Sequence, residues 1–254
     1  MTDRFVITLK WGPKYGPEYA NRLYRAVNRH LEEPFRFVCF TDTAEGLDDG
    51  VEVQPVPEIQ LPPHKANTTW KKLGLFREDL GGDERFSGPA LFLDLDVLIT
   101  GPLDRFFAYK PDAIPIIHNW IEPHKLLFRK RPEIGNSSVF RFPINECGFA
   151  VETYRREAPA CCDAWHPPQS YLTECIRPKM VYWPETWVRS FKRHCTRMFP
   201  LNYLLTPRRP PADCSVLAFH GRPNPDQAEA GYKGKKLHHR VRPTPWIREY
   251  WEGA

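Results

Sequence analysis

Two aspartates, Asp94 and Asp96, stand inside an apolar run at residues 90–99, which reads Ala-Leu-Phe-Leu-Asp-Leu-Asp-Val-Leu-Ile. A run of this length after the turn signal Ser87-Gly88-Pro89 predicts a buried strand. Carboxylates are rarely buried unless they are paired or bound to metal. On an extended chain, side chains two apart share a face, so Asp94 and Asp96 are expected to aim at one spot near a strand end. Such a pair suits a hard divalent cation, which prefers oxygen ligands and can also hold a diphosphate. The plainer alternative is a strand end that dips into solvent with both carboxylates hydrated.

The elements that must position this pair read as an α/β chain. Residues 5–9 form the first expected strand, followed by a loop with Gly12, Pro13, Gly16 and Pro17. Tyr19, Leu23, Ala26, Val27, His30 and Leu31 then recur at helical spacing until Pro34. Residues 36–41 and 51–53 read as strands. Trp70, Leu73, Phe76, Arg77 and Leu80 mark a second helix, stopped by Gly81-Gly82. This order predicts an α/β fold with a mostly parallel central sheet flanked by helices. Ligands of such sheets sit beyond the carboxyl ends of the strands, where Asp94 and Asp96 fall.

After Gly101-Pro102 the texture changes. Residues 114–118 and 137–142 read as short strands, and 145–156 and 169–176 as short helices. Residues 216–219 form a last apolar strand ending in His220-Gly221, and 245–251 a terminal helix. Of 27 prolines, 8 precede residue 101 and 19 follow it, so a loop-rich second half is expected. No flexible linker is evident, and the chain reads as one domain over residues 1–254.

Composition bounds the function. The chain has 254 residues, enough for a substantial core, with 41% hydrophobic and 26% charged residues. A net charge of +5 fits an anionic small-molecule substrate or a weak membrane-surface contact, and is too small to argue for nucleic acid. The seven cysteines are odd in number and contain no C-x-x-C pair, which speaks against zinc and disulfide frameworks. Free thiols point to a reducing compartment, and hence to a cytoplasmic protein. The N-terminal residues do not read as a signal peptide, and no stretch approaches a membrane span.

Several segments together resemble the nucleotide-sugar glycosyltransferases of the GT-A fold, in particular the family-8-like group. Asp94-Leu95-Asp96 after an apolar strand is similar to that family's D-x-D motif. Asn136-Ser137-Ser138-Val139-Phe140 resembles its N-[SG]-G-V strand. His220-Gly221 resembles the start of its H-G-x-x-K-P-W segment, and Trp70-Lys71-Lys72-Leu73 sits where the family has a basic residue before the D-x-D strand. The resemblance implies a single GT-A, Rossmann-like domain. Residues 1–100 would be its nucleotide-sugar half and 101–254 its acceptor half. It implies transfer of a sugar from a nucleotide-sugar, by preference a UDP-sugar, to a hydroxyl of a cell-surface glycan or its lipid-linked precursor.

The metal implied is Mn2+ or Mg2+, held by Asp94 and Asp96, with Asp96 essential to the catalytic step. Two carboxylates cannot complete an octahedral shell. His220, at an apolar strand end, fits a third ligand, since imidazole suits manganese; alternatively it is a loop histidine that caps a strand. Gln169 stands where the family has a D-Q pair, and would lie near the anomeric carbon, although Pro168 replaces the aspartate. Its alternative is a polar helix-start residue. Asn136 and Ser137 would line the acceptor side. The family's lysine after H-G-x-x is absent; Gly221 and Arg222 would contact the diphosphate instead, or Lys233, Lys235 and Lys236 further on would supply the phosphate charge.

Thr8, Lys10 and Tyr15 follow or end the first strand, where the family binds base and ribose. Lys10 or Lys72 could neutralise phosphate, Tyr15 could stack on the base, and Asp42 could hydrogen-bond it; ordinary packing and turn chemistry are the alternatives. Residues 233–242 carry five basic residues and no acid, and Trp246, Tyr250 and Trp251 follow. Basic plus aromatic residues can seat a protein on an anionic bilayer, here the inner membrane face; a solvated tail or a loop over the diphosphate are the alternatives. Two rival classes are a haloacid-dehalogenase-type phosphatase with Asp94 as nucleophile and a non-enzymatic carbohydrate- or nucleic-acid-binding module. Leu98 departs from the phosphatase pattern, and a binding module does not explain two acids in an apolar run.

Overall fold

A computed structural model of the chain describes residues 3–82, 86–121, 128, 130–157, 161–165 and 168–253, without the side chains of residues 153, 157, 161 and 253. Its first half contains β1 (Phe5–Lys10), α1 (Pro17–His30), β2 (Arg36–Thr41), β3 (Glu52–Pro55), β4 (Gly88–Leu93) and β5 (Val97–Ile99). Then come α2 (Asp104–Ala108), β6 (Ile114–His118), β7 (Gly135–Ile144), α3 (Gly148–Glu157), α4 (Cys161–Ala164) and α5 (Pro168–Ile176). The chain continues with β8 (Met180–Tyr182), β9 (Val188–Ser190), β10 (Val216–Ala218), α6 (Pro225–Ala230), β11 (Tyr232–Lys233), β12 (Arg240–Val241) and α7 (Trp246–Arg248).

A seven-stranded sheet runs in the order β3-β2-β1-β4-β7-β6-β8. Its first four strands are parallel, and β7 pairs antiparallel with both β4 and β6. The period of two in the strands divides the core. Phe5, Ile7 and Leu9 face one cluster with Val38, Phe40 and Phe92, while Val6 faces the other with Phe37, Cys39, Leu91 and Leu93. The Val6 face is covered by α1, whose buried Tyr19, Ala20, Leu23, Ala26 and Val27 keep helical spacing. Pro17 starts that helix at a position that needs no backbone donor.

Two expectations are corrected. The run 90–99 is not one strand. β4 ends at Leu93, and β5 pairs antiparallel with β10 in a separate three-stranded sheet. The aspartates sit in the turn between, because the chain must leave one sheet to join the other. The second helix is also not an α-helix through Leu80. It is a 3-10 helix, Thr69–Phe76, followed by a short turn at Leu80–Gly82. Gly74 lies inside it, and a Cβ there would come within 2.9 Å of the Pro57 carbonyl oxygen. Close packing against that loop, with β-branched Thr68 and Thr69 at the start, favours the tighter winding.

The C-terminal aromatics also differ from expectation. Trp246 and Trp251 are core residues, Trp246 with its ring centroid 6.1 Å from that of Phe191 and Trp251 5.2 Å from that of Tyr19 on α1. Among the described residues, no helix is long and apolar enough to cross a membrane. The six described cysteine side chains are buried, and none of them is in a disulfide.

Candidate active site

The parallel strands β1, β2 and β4 deliver Lys10, Thr41 and Leu93 to the same edge of the sheet. The Asp94–Asp96 turn begins there. The Asp94 backbone N–H still donates to the Ser138 carbonyl at 2.9 Å, while the Asp96 carbonyl accepts from the Phe219 N–H at 3.3 Å. The turn is thereby clamped between the large sheet and the end of β10. Above it opens a cavity of about 730 Å³. Asp94 and Asp96 form part of its wall, with Lys14, Tyr15, Lys65 and Trp70.

The two carboxylates have different partners. Asp94 is ion-paired with Lys72, Nζ to Oδ1 at 2.7 Å. Lys72 also donates to the Ser137 carbonyl at 2.8 Å and to its Oγ at 3.3 Å. Asp96 is buried and accepts from the Tyr15 hydroxyl at 2.8 Å. Burial, and then the neighbouring Asp94, push the Asp96 carboxyl well above the usual carboxylate range; Tyr15, Lys14 and Lys72 offset this only in part. Burial and Asp96 also raise the Tyr15 phenol, which therefore stays a donor at neutral pH.

Other candidates have local structural duties. Thr8 is fully buried, and its hydroxyl donates to the Leu93 carbonyl at 2.8 Å, which braces β4 just before the turn. Lys10 is buried at the end of β1. Asp42 is exposed and accepts from the Gly12 N–H at 2.7 Å, an interaction that holds its carboxyl below the usual range. Gly12 has φ +60, so the β1 loop reaches Asp42 through a left-handed turn. The Tyr15 ring centroid lies 4.7 Å from that of Tyr19, and Lys14 Nζ stands 4.4 Å from its centroid. On β7, Asn136 is buried and accepts from the Ser138 N–H at 3.0 Å. Gln169 lies in the first turn of α5, next to Pro168 in the cavity wall.

His220 follows β10 and is less than two residues from the clamp at Phe219. Its Nε2 lies 2.6 Å from Ser190 Oγ, and its ring stacks on Trp120 at 5.2 Å. Burial, and then Lys192, Arg193 and His194, lower it to about 4, so the ring is neutral at pH 7. Lys192 Nζ donates to the His220 carbonyl at 2.6 Å. Gly221, at φ +72, turns the chain toward a second cavity of about 630 Å³. Arg222 and Gly221 line it with Tyr19, Asn224 and Asp226, and both cavities share Pro13 and Lys14. Lys14, Lys65, Lys192 and Trp120 were not anticipated from sequence, because single basic or aromatic residues in loops carry no spacing signal.

A divalent cation fits the Asp94–Asp96 turn. A buried carboxylate beside a second one stays raised, chiefly by burial, despite the Tyr15 phenol, Lys14 and Lys72, so added positive charge would be favoured there. Among the described residues, no group of three or more His, Cys, Asp or Glu comes together to hold an ion. The protein would thus supply Asp94 and Asp96, and substrate or water oxygens the rest. His220 is engaged with Ser190 rather than grouped with the carboxylates.

Comparison with known proteins gives a fold. No family model matches the sequence. A search of curated proteins also gives no match. The chain is similar in structure to the galactosyltransferase LgtC, solved with donor and acceptor sugar analogues: TM-score 0.56, 14% identity, 87% of this chain and 88% of that one. It is similar to the glycosyltransferase GlyE of Streptococcus pneumoniae TIGR4, at TM-score 0.53, 13% identity, 89% of this chain and 56% of that one. The bifunctional glycosyltransferase WbbM in its apo form matches at TM-score 0.60 and 10% identity, over 99% of this chain and 52% of that one. The chain thus spans about half the length of GlyE and of WbbM. The shared architecture is the GT-A fold.

Proposed function

We propose that this chain is a glycosyltransferase that uses a nucleotide-sugar, by preference a UDP-sugar, and a divalent cation, Mn2+ or Mg2+. The acceptor is a hydroxyl of a cell-surface glycan or of its lipid-linked precursor. One observation carries the reading: the paired aspartates stand at the carboxyl edge of a GT-A sheet, in the wall of a cavity of about 730 Å³. That LgtC was solved with donor and acceptor sugar analogues supports it by analogy.

In this reading residues 1–100 bind the nucleotide-sugar and residues 101–254 the acceptor. Asp94 and Asp96 hold the cation, which when bound supplies Lewis-acid neutralisation of the leaving diphosphate. Tyr15 fixes Asp96 through its hydroxyl, and Lys72 holds Asp94 against β7. Lys14, which lines both cavities, is a basic side chain available to the phosphates, with Lys65 in the first cavity and Arg222 in the second. Transfer breaks the bond between the anomeric carbon and the phosphate oxygen, and the electron pair leaves with the nucleoside diphosphate. The acceptor oxygen bonds to that carbon, and its proton passes to a phosphate oxygen of the departing diphosphate or to water. Gln169, beside Pro168, is the candidate at the reacting end, and Asn136 and Ser137 lie toward the acceptor.

The test is product formation from a panel of nucleotide-sugars with oligosaccharide and lipid-linked acceptors, with manganese and with chelator. Asp96→Asn removes a direct ligand, so transfer should fall by on the order of 4 kcal/mol of transition-state stabilisation, about a thousandfold. A folded Asp96→Asn protein with full activity and no need of a divalent ion contradicts the reading.

A further inference from the structure

Eight large apolar side chains are exposed among the described residues, and five of them fall within residues 198–205: Met198, Phe199, Leu201, Leu204 and Leu205. Met198 is 84% exposed and Leu204 73%. A sixth, Leu237, is 66% exposed and sits between β11 and β12. Scattered exposed leucines are ordinary, but six in two touching loops form a patch.

The loops touch through buried anchors. Asn202 is 2% exposed, and its Nδ2 donates to the Leu237 and Arg240 carbonyls, both at 3.1 Å. The Arg240 guanidinium lies 4.8 Å from the Tyr203 ring centroid. At the far end, Trp246 Nε1 donates to the Pro207 carbonyl at 3.1 Å. The tips are therefore presented on a braced base.

Charge supplies the second observation. Residues 197–212 and 230–248 together hold nine Lys and Arg and no Asp or Glu. With a whole-chain charge of +5, the rest of the molecule is left at −4. Arg209 and Arg248 are paired with Glu249 and Glu229, while Lys233, Lys235, Lys236 and Arg242 are exposed. A second copy of this surface would meet it with like charge. A nucleic acid would leave the apolar tips in water. An anionic bilayer satisfies both, since apolar side chains enter the interface and Lys and Arg meet lipid phosphates.

We propose that residues 198–205 and 233–242 form one surface that docks onto an anionic phospholipid bilayer. The apolar part comes from Met198 to Leu205 and Leu237, not from Trp246 and Trp251, which are core residues. This surface lies outside the active-site cavity and does not depend on the glycosyltransferase reading.

The test is co-sedimentation of the intact chain with vesicles of phosphatidylcholine alone or mixed with phosphatidylglycerol. The parent should bind mixed vesicles roughly tenfold better than neutral ones. The double variants Met198→Ser/Leu204→Ser and Lys235→Glu/Lys236→Glu should each lose roughly tenfold in binding, with unchanged thermal unfolding, because all four side chains are exposed. Parent protein that ignores mixed vesicles overturns the proposal, as does Met198→Ser/Leu204→Ser binding like the parent. Self-association abolished by the same variant, without vesicle binding, assigns the patch to a second copy and also overturns it.

Discussion

Two strand ends meet at the candidate site, and they are built in opposite ways. At the end of β4, Asp94 and Asp96 crowd negative charge into a buried turn, answered by one lysine ion pair and one phenol. At the end of β10, joined to it by the Phe219 N–H, His220 is neutral, stacked on Trp120 and in contact with Ser190. At the first end burial keeps the Asp96 carboxyl raised despite the lysine and the phenol. The second has satisfied itself from the protein. In the proposed reading a cation joins the aspartates, while His220, in contact with Ser190, supports the loop that turns at Gly221.

The contrast breaks most sharply at Lys72. Lys72→Met leaves Asp94, whose side chain is 25% exposed, beside Asp96 with its nearest cation gone. Stability should fall by about 2–3 kcal/mol, toward the low end for a broken buried pair because Asp94 retains some water. Manganese should restore part of this, since an ion that binds only the folded state stabilises it by mass action. Thermal unfolding of Lys72→Met with and without manganese checks both points. Equal stability to the parent, or no response to the ion, removes the charge deficit from the account.

A smaller effect is expected at the other end. His220→Ala forfeits one hydrogen bond and one ring stack, about 1–2 kcal/mol. Denaturant unfolding measures that loss. The manganese concentration for half-maximal activity should stay as in the parent. A rise of about tenfold would instead put His220 in the ion's shell.

How much of this was legible in the sequence differs between the two ends. The acids were visible because charge inside an apolar run has few explanations, and β1, α1, β2 and β6 followed from periodicity. The run itself misled: a strand in one sheet and a strand in the next give the same apolar string, and only long-range pairing of Val97–Ile99 with β10 separates them. The 3-10 winding at Thr69–Phe76 depends on the loop it packs against, which spacing does not encode. Ser190 and Trp120, which hold His220, lie 30 and 100 residues away and have no motif. The short elements α2, α4, β8 and β9 are below the length at which periodicity speaks. Nothing in the spacing of Met198–Leu205 marks that segment as exposed, and Trp246 fitted a surface anchor although it is core, because burial is settled by tertiary packing.

The central claim is that the Asp94–Asp96 turn lacks a cation that a nucleoside diphosphate shares. Titration calorimetry of uridine diphosphate into the parent and into Asp96→Asn, each with manganese and with chelator, tests it directly. The parent should bind with manganese at least about tenfold more tightly than with chelator, and Asp96→Asn should lose that difference while binding weakly in both. Equal affinity of the parent in the two conditions, or an unchanged manganese effect in folded Asp96→Asn, would contradict it.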